Sequence, residues 1–201
     1  MDQRTDEQLF GDYRRGQADA FRTLIDRHHD DLLRFLIRLV GSRQAAEDVF
    51  QETFLQIHTS GDSFDVERRF RPWLFTIAAN KGRDYLRRKG RRQVMELSAP
   101  VGGPHAGDEA TTFIDLLQVD WGPPSQEMEA AERERRVQSA LDAMSHPLRE
   151  ILLLSYFNRL TYQQIADELG IPLGTVKSRL HAAVASFAKR WQDVARGEGR
   201  E

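Results

Sequence analysis

Apolar positions along this chain recur at helical spacing, and almost nothing alternates with the period of a strand. Thr5 to Arg15 predicts a short helix capped by Thr5. A longer one follows from Asp19 to Val40, with Phe21, Leu24, Ile25, Leu32, Phe35, Leu36 and Leu39 on its apolar face. His28 and His29 fall within it; adjacent histidines on a helix point different ways and lack the i, i+4 spacing of a metal pair, so both are expected to be partly exposed.

Ser42 predicts the cap of a third helix running to about His58, with Ala46, Val49, Phe50, Thr53 and Ile57 as its buried stripe. Asp48, Gln51, Glu52 and Leu55 project from the other side. Two readings stand for them: a small partner-binding surface, or a solvated face with one stray leucine. After a loop from Thr59 to Arg71, Pro72 is expected at the first position of another helix. Leu74, Phe75, Ala78, Tyr85 and Leu86 make its inner face; Trp73, Thr76, Asn80, Arg83 and Arg87 point outward, with Ile77 at the margin.

Gln93 to Pro124 holds Pro100, Pro104, Pro123 and Pro124 with Gly102, Gly103, Gly107 and Gly122, the composition of a linker. As a loose coil it averages roughly 30 Å end to end and reaches about 100 Å when stretched. Phe113, Ile114, Leu116, Leu117 and Trp121 are too apolar for a pure spacer, and dock either on a partner or on one of this chain's own domains. Ser125 to Met144 predicts a helix with Val137, Ala140, Leu141 and Met144 inward. Pro147 starts another, carrying Ile151, Leu152, Leu154, Tyr156 and Phe157.

The sharpest local pattern is Thr161 to Trp191. Thr161 with Gln164 is a capping box, Gly170 a left-handed stop, and Pro172 is placed to open the next helix. Val176, Leu180, Ala183, Val184, Phe187 and Trp191 form one stripe of that helix. Ser178, His181, Ala182 and Ala185 lie opposite, flanked by Lys177 and Arg179. This is a helix-turn-helix in outline. No acidic residue occurs between Ile171 and Trp191, so the outward side suits phosphates and base edges; an ordinary helical hairpin with a basic face is the other reading.

Charge sharpens the picture. The net charge of −2 hides segregation: Arg68 to Arg92 carries ten bases against Asp84 alone, whereas Gln93 to Glu132 has no Lys or Arg. A polyanion-binding surface thus adjoins an acidic tether. An outward Trp73 and Asn80 among arginines has the chemistry for single-stranded DNA, namely stacking, base-edge hydrogen bonds and phosphate neutralisation; alternatively Trp73 is a core residue and the arginines only solubilise. The 201 residues contain no cysteine, hence no disulfide or thiolate metal site, which fits a reducing cytosol. The polar start M-D-Q-R-T-D-E is not that of a signal peptide, and no apolar run approaches a membrane span, so a cytoplasmic protein is expected. A phosphate-binding glycine loop, a metal cluster and a nucleophile–base pair are all missing from the pattern. No enzyme, no cofactor and no metal site are expected.

Three segments together carry a resemblance: A-E-D-V-F-Q-E-T-F-L-Q-I, R-P-W-L-F-T-I-A-A-N-K-G-R-D-Y-L-R-R, and L-T-Y-Q-Q-I-A-D-E-L-G-I-P-L-G-T-V-K-S-R-L. In this order and spacing the chain resembles bacterial RNA polymerase sigma factors of the extracytoplasmic-function (ECF) subfamily of the sigma-70 family. The resemblance implies an all-α fold: a region 2 bundle at residues 1–92, a linker at 93–124, a region 4 helix-turn-helix domain at 125–193 and a tail at 194–201. It implies that Asp48, Gln51, Glu52 and Leu55 dock on the clamp helices of the largest subunit of core RNA polymerase. Ser60 to Arg71 would hold a flipped non-template base of the −10 promoter element. Arg68, Arg69, Phe70, Arg71, Trp73, Thr76, Asn80, Arg83, Arg87 and Arg88 would meet that element and help melt it. Thr175, Lys177, Ser178, Arg179 and His181 would read the −35 element. An anti-sigma protein joins the implied partners, and membrane insertion does not. Relatives often keep arginines where this chain has Ala182, Ala183 and Val184, so upstream contacts are either weaker or supplied by Lys189 and Arg190. A stand-alone helix-turn-helix regulator binding duplex operator DNA is the competing function.

Overall fold

The computed structural model describes residues 3–61, 64–65, 68–93, 130–158 and 160–197. The acidic linker, with Phe113 to Trp121, lies outside them. The regular elements among the described residues are all helices, in two compact units. No helix among them is long and apolar enough to cross a membrane, and no cluster of His, Asp and Glu among them could hold a metal ion.

The first unit contains α1 (Asp6–Arg14), α2 (Ala18–Val40), α3 (Arg43–Ser60) and α4 (Phe70–Gln93). Thr5 caps α1 through a reciprocal pair: its hydroxyl accepts from the Gln8 amide at 3.2 Å, and the Gln8 side chain accepts from the Thr5 amide at 2.8 Å. Gly41 ends α2 in the left-handed conformation (φ 75°), which only a residue without Cβ takes cheaply, and Ser42 caps α3. The core joins Leu24, Leu32, Phe35, Leu36 and Leu39 of α2 to Ala46, Val49 and Ile57 of α3 and to Leu74, Phe75 and Ala78 of α4. Where α2 crosses α4 the backbones approach closely: a Cβ at Gly82 would stand 2.6 Å from Leu39 Cδ2.

Four expectations change here. His28 is buried, at 2% exposure, rather than partly exposed; Nε2 lies 2.8 Å from Asp6 Oδ2, so the ring ties α1 to α2. Phe54 joins the buried stripe of α3, displacing Phe50 to the margin. The helix α4 starts at Phe70, two residues before Pro72. Proline is still tolerated there, because the first-turn amides have no intrahelical acceptor to lose. The α3 helix also runs on to Ser60, through the start of the expected loop.

The second unit contains α5 (Ala130–Asp142), α6 (His146–Asn158), α7 (Tyr162–Leu169) and α8 (Leu173–Gly197). The expected start of α5 at Ser125 lies outside the described residues. Arg149 to Ser155 are all buried, so α6 is the central helix, packed against α8. Arg149, only 4% exposed, donates to the Asp142 carboxylate at 3.1 Å and to the Asp142 carbonyl at 2.9 Å, closing the C-terminal end of α5. Tyr156 is 60% exposed. It sits on the last turn of α6, edge-on to the neighbouring Phe157 at 5.2 Å. The helix-turn-helix follows its sequence pattern. Thr161 and Gln164 close a capping box on α7, and Gly170 caps its end at φ 62°. Pro172 lies just before α8 rather than inside it, its carbonyl accepting from the Thr175 and Val176 amides at 2.9 and 3.1 Å. Helix α8 continues to Gly197, past the expected domain end at 193.

Candidate nucleic-acid and partner interfaces

On α3 the buried stripe aims the opposite side at solvent. Asp48, Gln51 and Leu55 are exposed, Leu55 to 63%, and it is one of the large apolar side chains left to water. Glu52 is half-exposed and lies 3.5 Å from Arg88 of α4. The expected face therefore forms, with one member engaged by a residue expected on the DNA side.

On α4 the periodicity sets Trp73, Thr76, Ile77, Asn80, Arg83 and Arg87 along one side. Asn80, Arg83, Arg87 and Arg88 are exposed, and Trp73, Thr76 and Ile77 are half-buried. Trp73 is neither fully core nor fully outward. Its ring packs at 4.5 Å from Phe64, 5.6 Å from Phe10 and 5.8 Å from Phe70, and still borders solvent. A surface cleft of about 370 Å³ opens beside it, lined by Trp73, Ile77, Asn80, Lys81 and Asp84 of α4 with Gln56 and Ser60 of α3. Lys81 donates to the Gln56 side chain at 3.2 Å, which ties the two walls. An aromatic edge beside amide, ammonium and carboxylate groups offers what an unpaired base needs: a stacking surface and hydrogen bonds to its edge. Ser60 was expected only as the start of the base-holding loop, and sequence reasoning missed Gln56, Lys81 and Asp84, because only the α3–α4 contact places them around Asn80.

Two residues expected at the DNA make contacts within the unit. Phe70 is fully buried, at 0% exposure, so it has no surface to offer a base, and its ring packs 5.8 Å from Trp73. Arg71 donates to Asp31 at 2.8 Å, lies over the Phe75 ring at 4.8 Å, and reaches toward His28 Nδ1 at 3.5 Å. Arg71 thus clamps α4 to α2 while part of its side chain stays at the surface. The Arg71 and Arg34 guanidiniums hold the Asp31 carboxyl below the usual aspartate range. For Asp6 burial pushes the pKa up, but the hydrogen bonds and charges of His28 and Arg27 outweigh it and leave it lowered. Arg68 and Arg69 stay exposed just before α4.

On α8 the buried Val176, Leu180, Ala183 and Val184 fix the outward row. Ser178, Arg179 and His181 are exposed, and Thr175 and Lys177 half-buried. Thr175, Ser178 and Arg179 share a line at i, i+3 and i+4, with Lys177 and His181 on its flank. Ser178 donates to the Thr175 carbonyl at 3.2 Å, so its hydroxyl oxygen remains an acceptor. Ala182 is exposed, whereas Ala183 and Val184 are core; arginines at the latter two would have to be buried.

These surfaces, a basic helix-turn-helix on one helical unit and an aromatic, polar cleft flanked by arginines on another, have the chemistry of a nucleic-acid-binding protein. The comparisons agree. Residues 24–92 match the sequence model of Sigma-70 region 2, and residues 134–186 that of Sigma-70, region 4. The chain is 30% identical over 181 residues to the ECF RNA polymerase sigma factor SigW of Bacillus subtilis, covering 90% of this chain and 94% of that protein. It is 34% identical to the ECF RNA polymerase sigma factor SigL of Mycobacterium tuberculosis, covering 89% and 92% respectively. Among solved structures, that of CnrH in complex with the cytosolic domain of CnrY superposes with a TM-score of 0.63 at 25% identity, over 92% of this chain and 95% of CnrH. The chain belongs to the ECF family of RNA polymerase sigma factors. That places it among promoter-specific initiation factors that work with core RNA polymerase, and not among stand-alone repressors or activators.

Proposed function

We propose that the two units divide promoter recognition as follows. The outer face of α3 (Asp48, Gln51, Glu52 and Leu55) docks on the clamp helices of the largest polymerase subunit. Asn80, Trp73 and Thr76 of α4 engage unpaired bases of the −10 element, while Arg68, Arg69, Arg83, Arg87 and Arg88 meet the adjoining phosphates. Thr175, Lys177, Ser178, Arg179 and His181 of α8 enter the major groove of the −35 element. The work is done in the cytoplasm by binding and strand separation alone, without enzymatic chemistry. CnrH was solved with a cytosolic protein domain bound, and a comparable anti-sigma partner is part of this reading.

The observation that carries the proposal is the cleft beside the exposed Asn80 and half-buried Trp73. The opposite side of α4 already supplies Leu74, Phe75 and Ala78 to the core, so folding does not require an open aromatic edge there. Unstacking a base step costs a few kcal/mol, and aromatic stacking returns about 1–3 kcal/mol per base. Asn80→Ala tests it without disturbing the ring cluster. Holoenzyme carrying it should bind promoter duplex through α8 yet open it poorly, and a template with a pre-melted −10 bubble should recover much of the activity. Permanganate footprinting of unpaired thymines measures opening; normal reactivity on a fully paired promoter would rule the role out.

A further inference from the structure

The support beneath that edge comes from a helix that precedes the region 2 match. The region 2 match begins at residue 24, whereas α1 ends at Arg14. A helix of nine residues is marginal on its own and persists because tertiary contacts hold it. Those contacts are specific. The Glu7 carboxylate accepts from the Phe70 amide at 3.0 Å, across a separation of 63 residues. That amide is among the first of α4, which lack intrahelical acceptors, and a carboxylate there also meets the positive end of the helix dipole. Phe10, fully buried, lies 5.2 Å from Phe64, 5.2 Å from Phe70 and 5.6 Å from Trp73. Arg14 donates to the Phe64 carbonyl at 3.4 Å. At the other end Asp6 binds His28 at 2.8 Å and Arg27 at 2.6 Å, so α1 is itself anchored on α2.

We propose that Glu7 and Phe10 are positioning residues for promoter opening: the Glu7 carboxylate fixes the first turn of α4 and the Phe10 ring seats Trp73, so the cleft edge meets an unpaired strand already ordered. The inference rests on the assignment of Asn80 and Trp73 to the −10 element made above. Its physical content is preorganisation. An edge held before DNA arrives does not lose rotamer and backbone freedom at the moment of capture. Without the carboxylate the start of α4 frays, and Trp73 samples positions that cannot stack on a base.

The test uses full-length protein assembled with core polymerase, on a fully paired promoter and on one with a pre-melted −10 bubble. The variants are Glu7→Ala, Glu7→Gln (which keeps an acceptor), Phe10→Leu and Asn80→Ala. Val40→Ala serves as a control that loosens the α2–α4 contact near Gly82, far along α4 from Phe70. Permanganate reactivity reads opening. Emission and anisotropy of Trp73, alone in a Trp121→Phe, Trp191→Phe background, read the edge directly. Glu7→Ala should open the paired promoter about tenfold more slowly, as expected for a lost hydrogen bond to a charged group. Glu7→Gln should recover part of that rate, and the bubble template most of it. Core affinity should stay at the wild-type level while Trp73 becomes more mobile. Val40→Ala, at a comparable loss of thermal stability, should open DNA normally; an equal defect in that control would overturn the proposal. Normal opening by Glu7→Ala and Phe10→Leu beside a defective Asn80→Ala would refute the proposal alone. Normal opening by Asn80→Ala would refute the edge assignment itself.

Discussion

Leu55 offers the cleanest perturbation of polymerase binding, because it stands on α3 with 63% of its surface in water, outside the buried core. Fully burying a leucine side chain is worth about 1.5–3 kcal/mol. With roughly two-thirds of that still available, docking on the clamp helices gains about 1–2 kcal/mol from Leu55. Leu55→Ala should then weaken core binding by about 5- to 30-fold, at 1.4 kcal/mol per tenfold. Leu55→Arg should weaken it further, by placing a solvated charge in a dry contact. Neither change should move the stability of the free protein by more than about 0.5 kcal/mol, the range typical of exposed sites. Adding Glu52→Lys would confound the result, since Glu52 lies 3.5 Å from Arg88 and a lysine would set two cations against each other beside α4. Competition of each variant against labelled wild type for a limiting amount of core enzyme gives the affinity ratio, with thermal melts as the folding check. If Leu55→Ala and Leu55→Arg both compete within twofold of wild type, the α3 face is not the docking surface.

Three further outcomes are expected. Arg179→Ala should cost about 1–3 kcal/mol on the −35 element if the guanidinium reads a base, or lower the salt slope by about one if it meets a phosphate; binding titrations at several salt concentrations separate the two. Arg149→Met should destabilise the second unit by about 2–3 kcal/mol in chemical denaturation, because it strips charged donors from the Asp142 carboxylate and carbonyl. Asp31→Asn should destabilise the first unit at neutral pH but not in acid. The folded pKa of Asp31 is lowered, so its stabilising effect is complete above the ordinary aspartate value of 3.8 and fades as pH falls below it. Denaturation midpoints of wild type and variant should converge there, and a constant gap would exclude the Arg71 pairing as the cause.

Local chemistry was legible in the sequence wherever neighbours within one turn decide the outcome. Thr161, Gln164 and Gly170 name the ends of α7, and the stripe from Val176 to Val184 orients α8 without reference to any other element. What escaped was set by partners far along the chain. His28 reads as a surface residue until Asp6, 22 positions earlier, arrives beside it. Arg71 looks like one more base in a basic run, yet Asp31 and the Phe75 ring draw it inward. Phe70 reads as a loop aromatic ready for DNA, and becomes core only when Phe10, Phe64 and Trp73 close around it.

The long sequence separation of the Glu7–Phe70 contact also bears on how the molecule comes into being. Packing of α2 on α3 joins neighbours along the chain, whereas seating Trp73 requires residues near position 10 to find those near 70. Closing the larger loop carries the greater entropic cost, so the DNA-opening edge should be assembled after the polymerase-docking face. During synthesis or refolding there is then an interval in which a chain can present Leu55 before it can open a promoter. In stopped-flow refolding of the single-tryptophan protein, the Trp73 signal should lag the recovery of helical circular dichroism. Coincident traces would mean that both surfaces form in one step.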